Sequence, residues 1–182
     1  SVRVDVATLE PLIPAGLQFC ADNGPNACVV GGPTPQVGAF AAELTRRDIA
    51  NRLLVTSHAF HTPMMDAALA PFREEVRQVA LHPPQLTIIS TRTGLPLTAA
   101  EATDPEYWTG QLRDAVRFRG AGRTALDAGA AMFLELGPRG SLAALVRQHD
   151  KVAREKIPAV ACLADSRESE LATAASAAGQ LW

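Results

Sequence analysis

Residues 131–136 read AMFLEL, a nearly continuous apolar run that ends at Gly137-Pro138. A strand that is apolar at successive positions is typical of a parallel sheet with helices on both faces. Residues 86–90 (LTIIS) and residues 157–163 have the same character. The region after residue 57 therefore predicts an α/β fold, although so few strands are unusual for an independent parallel-sheet domain.

The residues between these predicted strands show patterns typical of helices. Residues 65–79 carry apolar side chains every three or four positions, which predicts an amphipathic helix that ends before Pro83-Pro84. Asp104 followed by Pro105 predicts the start of a second helix, because Asp is a preferred N-cap and Pro is favoured at the first helical position. Further helices are predicted up to residue 112 and at residues 117–128, 141–149 and 168–178.

The first 56 residues have another organisation. Strands are predicted at residues 2–6, 17–21, 27–30 and 53–55, and helices at residues 7–13 and 34–48. Asp22-Asn23-Gly24-Pro25 predicts the turn of the central hairpin, since Asn and Gly tolerate positive φ. The order β-α-β-β-α-β is that of a ferredoxin-like unit.

Composition excludes several classes of protein. The 182 residues are 47% hydrophobic and 20% charged, and 17 basic against 19 acidic residues give a net charge of -2, so a nucleic-acid binder with a broad basic face is not expected. No apolar run approaches the roughly 20 residues that cross a bilayer, and we expect no membrane partner. The three cysteines are odd in number and indicate reduced thiols of a cytoplasmic protein. Because Ser1 is not a Met, we expect it not to be the natural start.

The segment that best suits a catalytic role is residues 57–65, SHAFHTPMM, between a predicted strand and a predicted helix. Residues at strand ends in α/β sheets face the ligand crevice. The positive end of a helix dipole disfavours a protonated imidazole, and a neutral imidazole is a competent general base. From spacing alone, two histidines three residues apart are more often loop or core residues than catalysts. A metal site is not expected, because the glutamate of the HExxH pattern and a third ligand are lacking.

A nucleophile for this base is not evident. The Gly-x-Ser-x-Gly elbow of hydrolase-like folds is absent, since Ala143 replaces the second glycine after Ser141. Ser57 is too close in sequence to fold back easily onto either histidine. Cys28 and Cys162 lie in apolar strands, where a thiol is inert. The sequence thus predicts a base without a partner.

Several segments in collinear order resemble the acyltransferase domain of modular type I polyketide synthases. The segments are residues 22–33 (similar to NGP…CVVSGP), residues 57–65 (similar to SHAFHSPLM), residues 104–118 (similar to DPxYW…R.PVRF), residues 133–138 (similar to FLEVGP) and residues 179–182 (similar to G.LW). Together they cover almost the whole chain.

The resemblance implies an α/β-hydrolase-like large subdomain that carries an inserted ferredoxin-like small subdomain. Residues 1–56 would be the small subdomain, residues 57–178 the C-terminal part of the large one, and residues 179–182 the start of the linker that follows. It also implies a ping-pong transfer of malonyl, or a relative, from coenzyme A to the phosphopantetheine thiol of an acyl carrier protein, with no bound cofactor. The nucleophilic serine of the GHSxGE motif lies in an upstream half that this chain lacks, so the chain alone is expected to be inactive.

Residue roles follow from the same resemblance. His61 aligns with the catalytic histidine, and the main-chain carbonyl of Gln111 is expected to orient its ring. His58, Ala59 and Phe60 complete the HAFH form associated with malonyl selection, in which Phe60 fills the space that an α-methyl group needs. Lesser expectations place Met64 and Asn23 at the substrate pocket.

Two other functions stay open. The chain could be a non-catalytic module that docks a carrier protein or a neighbouring synthase domain. It could also be a complete small hydrolase that uses Ser141 or a cysteine.

Overall fold

The computed structural model of the protein describes residues 1–164 and 169–182. It is a mixed α/β structure with two compact units, Ser1–Ala121 and Gly122–Trp182. The division falls within helix α6 (Phe118–Asp127). Residues 1–56 and 57–121 thus share the first unit, and the subdomain boundary at residue 56 stays a prediction.

The first unit is built around a hairpin of β1 (Gln18–Gly24) and β2 (Ala27–Gly31), which pair antiparallel. Helix α2 (Thr34–Arg46) follows at the predicted place and buries its apolar face on the hairpin core. The buried residues of this core come from the N-terminal segment, the hairpin and α2, namely Val2, Leu9, Leu17, Cys28, Phe40 and Leu44.

The N-terminal strand and the hairpin turn differ from the prediction. Val2 forms only isolated bridges, to Cys28 on one side and Asn51 on the other. The predicted strand stops because the Asp5 carboxylate caps helix α1 (Val6–Leu9) by accepting from the Thr8 amide. The turn is at residues 25 and 26 rather than 22–25, because β1 contains two bulges and extends to Gly24.

Two predicted strands of the first unit do not form. Leu53, Leu54 and Val55 lie outside any strand and are 60%, 52% and 106% exposed. In residues 86–90 only Ile89 pairs, in an isolated bridge to Pro96, and Leu86 is 82% exposed. A strand needs a hydrogen-bonded neighbour, and neither run has a continuous one among the described residues.

Helices and a turn complete the first unit. Helix α3 (Asp66–Arg77) follows a 3₁₀ turn at Pro63–Met65 and packs on α5 (Pro105–Gly110), while α4 (Ala99–Ala102) precedes α5. The Asp104 carboxylate accepts from the Glu106 amide at 2.9 Å, which confirms the predicted N-cap. Arg73 on α3 and Glu106 on α5 form an ion pair of 2.6 Å.

The second unit contains the predicted parallel pairing. β3 (Phe133–Glu135) pairs parallel with β4 (Ala159–Ala161), and α7 (Ser141–Val146), α8 (Asp150–Glu155) and α9 (Glu170–Leu181) accompany them. The single helix predicted at residues 141–149 is divided, because His149 has an extended backbone and precedes α8. Leu134 and Leu136 are 42% and 79% exposed, so the AMFLEL run is not covered as predicted. The predicted start of the last helix at residue 168 lies outside the described residues.

Among the described residues, no helix combines the length and the apolar character that crossing a membrane requires.

Candidate active site

His61 is held at two points by the segment that follows α5. Its backbone amide donates to the carbonyl of Leu112 at 3.0 Å, and its ring Nδ1 lies 2.8 Å from the carbonyl oxygen of Asp114. The imidazole is half-buried. Its backbone φ of 64° lies in the left-handed region, which few non-glycine residues adopt. The contacts to Leu112 and Asp114 together hold this uncommon conformation.

The Asp114 contact decides which ring nitrogen of His61 carries the proton. A carbonyl oxygen can only accept a hydrogen bond, so Nδ1 must be the donor. In a neutral imidazole the other nitrogen, Nε2, then has the free lone pair. This is the arrangement of a histidine that takes a proton through Nε2 as a general base.

The acceptor is a correction to the sequence-based assignment. The carbonyl of Asp114, not that of Gln111, contacts the ring of His61. Gln111 is the C-cap of α5, and its side-chain Nε2 approaches the Ser90 hydroxyl at 3.4 Å. The chain must turn after α5 before a carbonyl reaches the ring, and the Arg113 and Asp114 amides both donate to the Gly110 carbonyl in that turn.

Thr62 fixes the segment on the other side of His61. Its side chain is buried, and its hydroxyl donates to the Ala59 carbonyl at 2.6 Å while accepting from the Met64 amide at 3.2 Å. A serine, usual in the family motif that the segment resembles, has the same hydroxyl. The threonine therefore keeps the capping role at this position.

The predicted selectivity residues lie next to His61 in a more exposed stretch. The rings of His58 and Phe60 are edge-on at 6.0 Å, and Phe60 is 44% exposed. Ala59 is half-buried, and Met64 is exposed. These four residues and His61 are near neighbours in the sequence, and the contact that the structure adds among them is the one between the rings of His58 and Phe60.

Ser57 and Asn23 lie elsewhere than the sequence-based expectations put them. Ser57 does reach His58, since its hydroxyl lies 3.0 Å from His58 Nδ1, contrary to the expectation that it could not fold back. Asn23 is half-buried in β1 rather than in a turn. Ser57 and His58 are both exposed, and the Ser57 hydroxyl contacts His58 rather than the proposed base His61.

The cysteines offer little support for a thiol nucleophile. Cys20 and Cys28 are buried, and burial raises the pKa of each thiol to about 11. A thiol with that pKa is almost wholly protonated at neutral pH, and the thiolate is the reactive form. The structure therefore gives no support to Cys20 or Cys28 as the nucleophile of a hydrolase.

A comparison with known protein families identifies the family of the chain that contains this histidine segment. The family described as "Acyl transferase domain" matches residues 9–177, which include the whole histidine segment and the turn after α5. The chain is a member of this acyl transferase domain family. It fits the C-terminal portion of an acyltransferase domain of the polyketide synthase type.

Curated relatives of this acyl transferase domain are polyketide synthases. A phenolphthiocerol/phthiocerol polyketide synthase of Mycobacterium tuberculosis is 34% identical over 76% of the chain, which spans 9% of that protein. Polyketide synthase GfsB of Streptomyces halstedii is 38% identical over 75% of the chain, which spans 2% of that protein. The chain is thus a small part of the length of these relatives.

Solved acyltransferase domains have the same fold. The acyl transferase domain of SpnD, in complex with 2-(pent-4-yn-1-yl)malonyl, superimposes with a TM-score of 0.92 and 32% identity. The acyltransferase domain from the second module of the salinomycin polyketide synthase gives a TM-score of 0.90 and 29% identity. Both comparisons cover 100% of this chain, which spans 44% and 42% of the respective solved chains.

Proposed function

We propose that this chain supplies the general base of a polyketide synthase acyltransferase that loads an extender unit, malonyl, from coenzyme A onto an acyl carrier protein in the cytoplasm. The observation that carries the proposal is the hydrogen bond from His61 Nδ1 to the Asp114 carbonyl, which leaves Nε2 as the proton acceptor. Membership of the acyl transferase domain family supports the reaction class.

The proposed chemistry is a ping-pong transfer through a serine ester. Nε2 of His61 removes the serine proton while the serine oxygen attacks the thioester carbonyl, and the same nitrogen then gives that proton to the departing coenzyme A thiolate. In the second half, the phosphopantetheine thiol of the carrier protein gives its proton to Nε2 and attacks the serine ester. The serine leaves and takes back that proton.

We assign the serine to a partner segment, the N-terminal half of an acyltransferase domain with a GHSxGE motif, because no such motif occurs in these 182 residues. The exposed apolar runs support this assignment. Residues 53–55 and 86–88 in the first unit, and residues 134–136 in the second, expose leucine and other large apolar side chains that soluble proteins normally cover. The chain alone would then be inactive.

The proposed subdomain organisation has a related basis. Residues 1–56 would form the ferredoxin-like small subdomain, and residues 57–178 the C-terminal part of the large one. The bridges from Val2 to Cys28 and to Asn51 support the first assignment, since Val2 of the first predicted strand lies between the third predicted strand and a residue just before the fourth.

We attribute malonyl selection to the HAFH segment. Phe60 and His58 are adjacent to the base, and their exposed faces are free to line an acyl pocket formed with the N-terminal half. A methyl group excluded by Phe60 discriminates by about 1–3 kcal/mol, so the segment sets a preference rather than an absolute choice.

Reconstituted transfer tests the function. The chain is mixed with a polypeptide that carries the N-terminal half, and radiolabelled malonyl transfer from coenzyme A to carrier protein is followed. We expect no transfer by this chain alone, and His61→Ala should lower the reconstituted rate by about 10²-fold or more. His82→Ala is the matched control, because His82 is exposed in a distant part of the sequence and should leave the rate unchanged.

Two outcomes would contradict the proposal. An unchanged rate for His61→Ala would exclude His61 as the general base. Malonyl label bound covalently to this chain alone would indicate a nucleophile within it. Carrier-protein binding that needs no N-terminal half and ignores His61→Ala, without any transfer, would instead favour the docking module.

A further inference from the structure

Asp114 makes one contact with His61 through its backbone and another with Arg92 through its side chain. Its carbonyl accepts from His61 Nδ1, and its carboxylate accepts from Arg92 Nε at 2.5 Å. A hydrogen bond between charged groups is roughly twice as strong as one between neutral groups. If the Asp114 side chain moves, the Asp114 backbone carbonyl that orients the His61 imidazole can therefore move with it.

Arg92 is itself held from several directions. Its Nη1 donates to the Tyr107 carbonyl at 3.1 Å, and its guanidinium carbon lies 4.8 Å from the centroid of the Tyr107 ring. Its backbone amide donates to the Ser90 hydroxyl at 3.0 Å, which also accepts from the Tyr107 hydroxyl. The guanidinium is thus a fixed group and not a mobile surface charge.

Gly110 provides the space for this guanidinium. A Cβ atom at position 110 would lie 2.6 Å from the guanidinium carbon of Arg92, well inside van der Waals contact. The Gly110 carbonyl also accepts from the Arg113 and Asp114 amides, at 3.0 and 2.8 Å. The same glycine therefore admits Arg92 and begins the turn that carries Asp114 to His61.

The turn is fixed at its far end as well. Two residues after Asp114, Val116 exchanges two backbone hydrogen bonds of 2.8 Å with β1, donating to Cys20 and accepting from Asp22. Between these two fixed ends, the ion pair with Arg92 restrains the side chain of the residue that orients the histidine ring. Arg113, the residue before Asp114, forms its ion pair with Asp66 instead, at 2.8 Å.

We propose that Arg92 is a positioning residue for His61. Its guanidinium contacts Asp114 and Tyr107, and it acts through Asp114 by keeping the carbonyl aligned with Nδ1. The proposal rests on the proposed function for its catalytic consequence, but its structural part concerns the chain alone. A group that orients a metal-bound histidine typically contributes about 10-fold to 100-fold to metal affinity or activity, and we expect an effect of about this size for Arg92.

Nitrogen-15 NMR of the full chain shows directly which ring nitrogen of His61 carries the proton. In the wild type, the His61 shifts should be those of a ring protonated at Nδ1, with His61→Gln used to assign them. In Arg92→Ala they should move towards those of free imidazole, whose proton is mainly on Nε2. Arg92→Lys should give an intermediate shift, since lysine can pair with Asp114 but lacks the planar fork that also reaches the Tyr107 carbonyl.

Arg73→Ala is the matched control. Arg73 has a similar side-chain exposure, 31% against 27% for Arg92, and it loses an ion pair within the same unit without touching the turn. His61 shifts that are unchanged in Arg92→Ala would overturn the proposal, and so would equal changes in Arg73→Ala. If Arg92→Ala does not fold, Asp114→Asn keeps the carbonyl and weakens the bond to Arg92, and unchanged shifts in that variant would overturn the proposal too.

Kinetics separate this inference from the proposed function. In reconstituted transfer, Arg92→Ala should lower kcat about 10-fold or more with little change in KM, and Arg92→Lys should recover part of that loss. If His61→Ala leaves transfer unchanged, the proposed function fails, while the NMR shift would still show that Arg92 positions the ring. If His61→Ala abolishes transfer but Arg92→Ala does not alter the ring, the function stands and the positioning role fails.

Discussion

Strand β2 and residues 53–55 are both short apolar runs in the first unit, but they have opposite surroundings. β2 pairs with β1 and meets Val2 on its other side, and Cys28 within it is fully buried. Val55 is fully exposed and belongs to no strand. Apolar composition therefore indicates a need for burial, but only a neighbour in space can provide it.

The largest expected effect is the difference in unfolding free energy between removing a packed leucine and removing an exposed one. Leu44 in α2 is 1% exposed, whereas Leu54 is 52% exposed. Leu44→Ala should lower the free energy of unfolding by about 2–5 kcal/mol, because it removes buried methyl groups and leaves a cavity. Leu54→Ala should change it by about 0.5 kcal/mol or less. Urea unfolding followed by circular dichroism measures both, and equal losses would mean that Leu54 is packed in solution.

A second test asks whether the N-terminal half covers residues 53–55. Leu54→Asp should leave the stability of this chain nearly unchanged but weaken its binding to that half by about tenfold or more, since burying a leucine contributes about 1.5–3 kcal/mol. Val79→Asp is the control, because Val79 is 60% exposed but lies outside the three apolar runs. Isothermal titration calorimetry gives the affinities. Equal weakening by both substitutions would argue against a specific role for residues 53–55.

A third test concerns the buried side of the comparison and depends on pH. Burial raises the pKa of the Cys20 and Cys28 thiols from 9.0 to about 11. The protonated thiols therefore favour the folded state fully below pH 9, and this contribution is lost as pH rises through 11. Unfolding free energies between these limits should fall more steeply for the wild type than for a Cys20→Ala/Cys28→Ala double variant. Parallel curves would show that the thiols do not contribute.

The sequence predicted those features that depend on local chemistry. Asp104 as an N-cap and helix α2 are both present, because capping geometry and hydrophobic period are encoded in neighbouring residues. The parallel pairing of β3 with β4 is also present, and there both apolar runs belong to this chain. The strands predicted at residues 53–55 and 86–90 depend on distant partners, and no pattern within a run shows whether its partner belongs to the same chain.

The site shows the same limit. His61 could be singled out because its motif is recognisable, but its acceptor was assigned to Gln111 and is Asp114. A main-chain carbonyl has no side-chain signature, so only the path of the turn decides which carbonyl reaches the ring. Arg92 was missed for a related reason, since it lies 22 residues before Asp114 in the sequence.

The carbonyl that orients His61 also affects how this site can vary among descendants of the gene. No single codon change at position 114 removes a peptide oxygen, in contrast to a serine protease triad, where losing the aspartate side chain removes the orienting group. An amino-acid substitution at position 114 can therefore disturb the orientation of His61 only by moving the backbone.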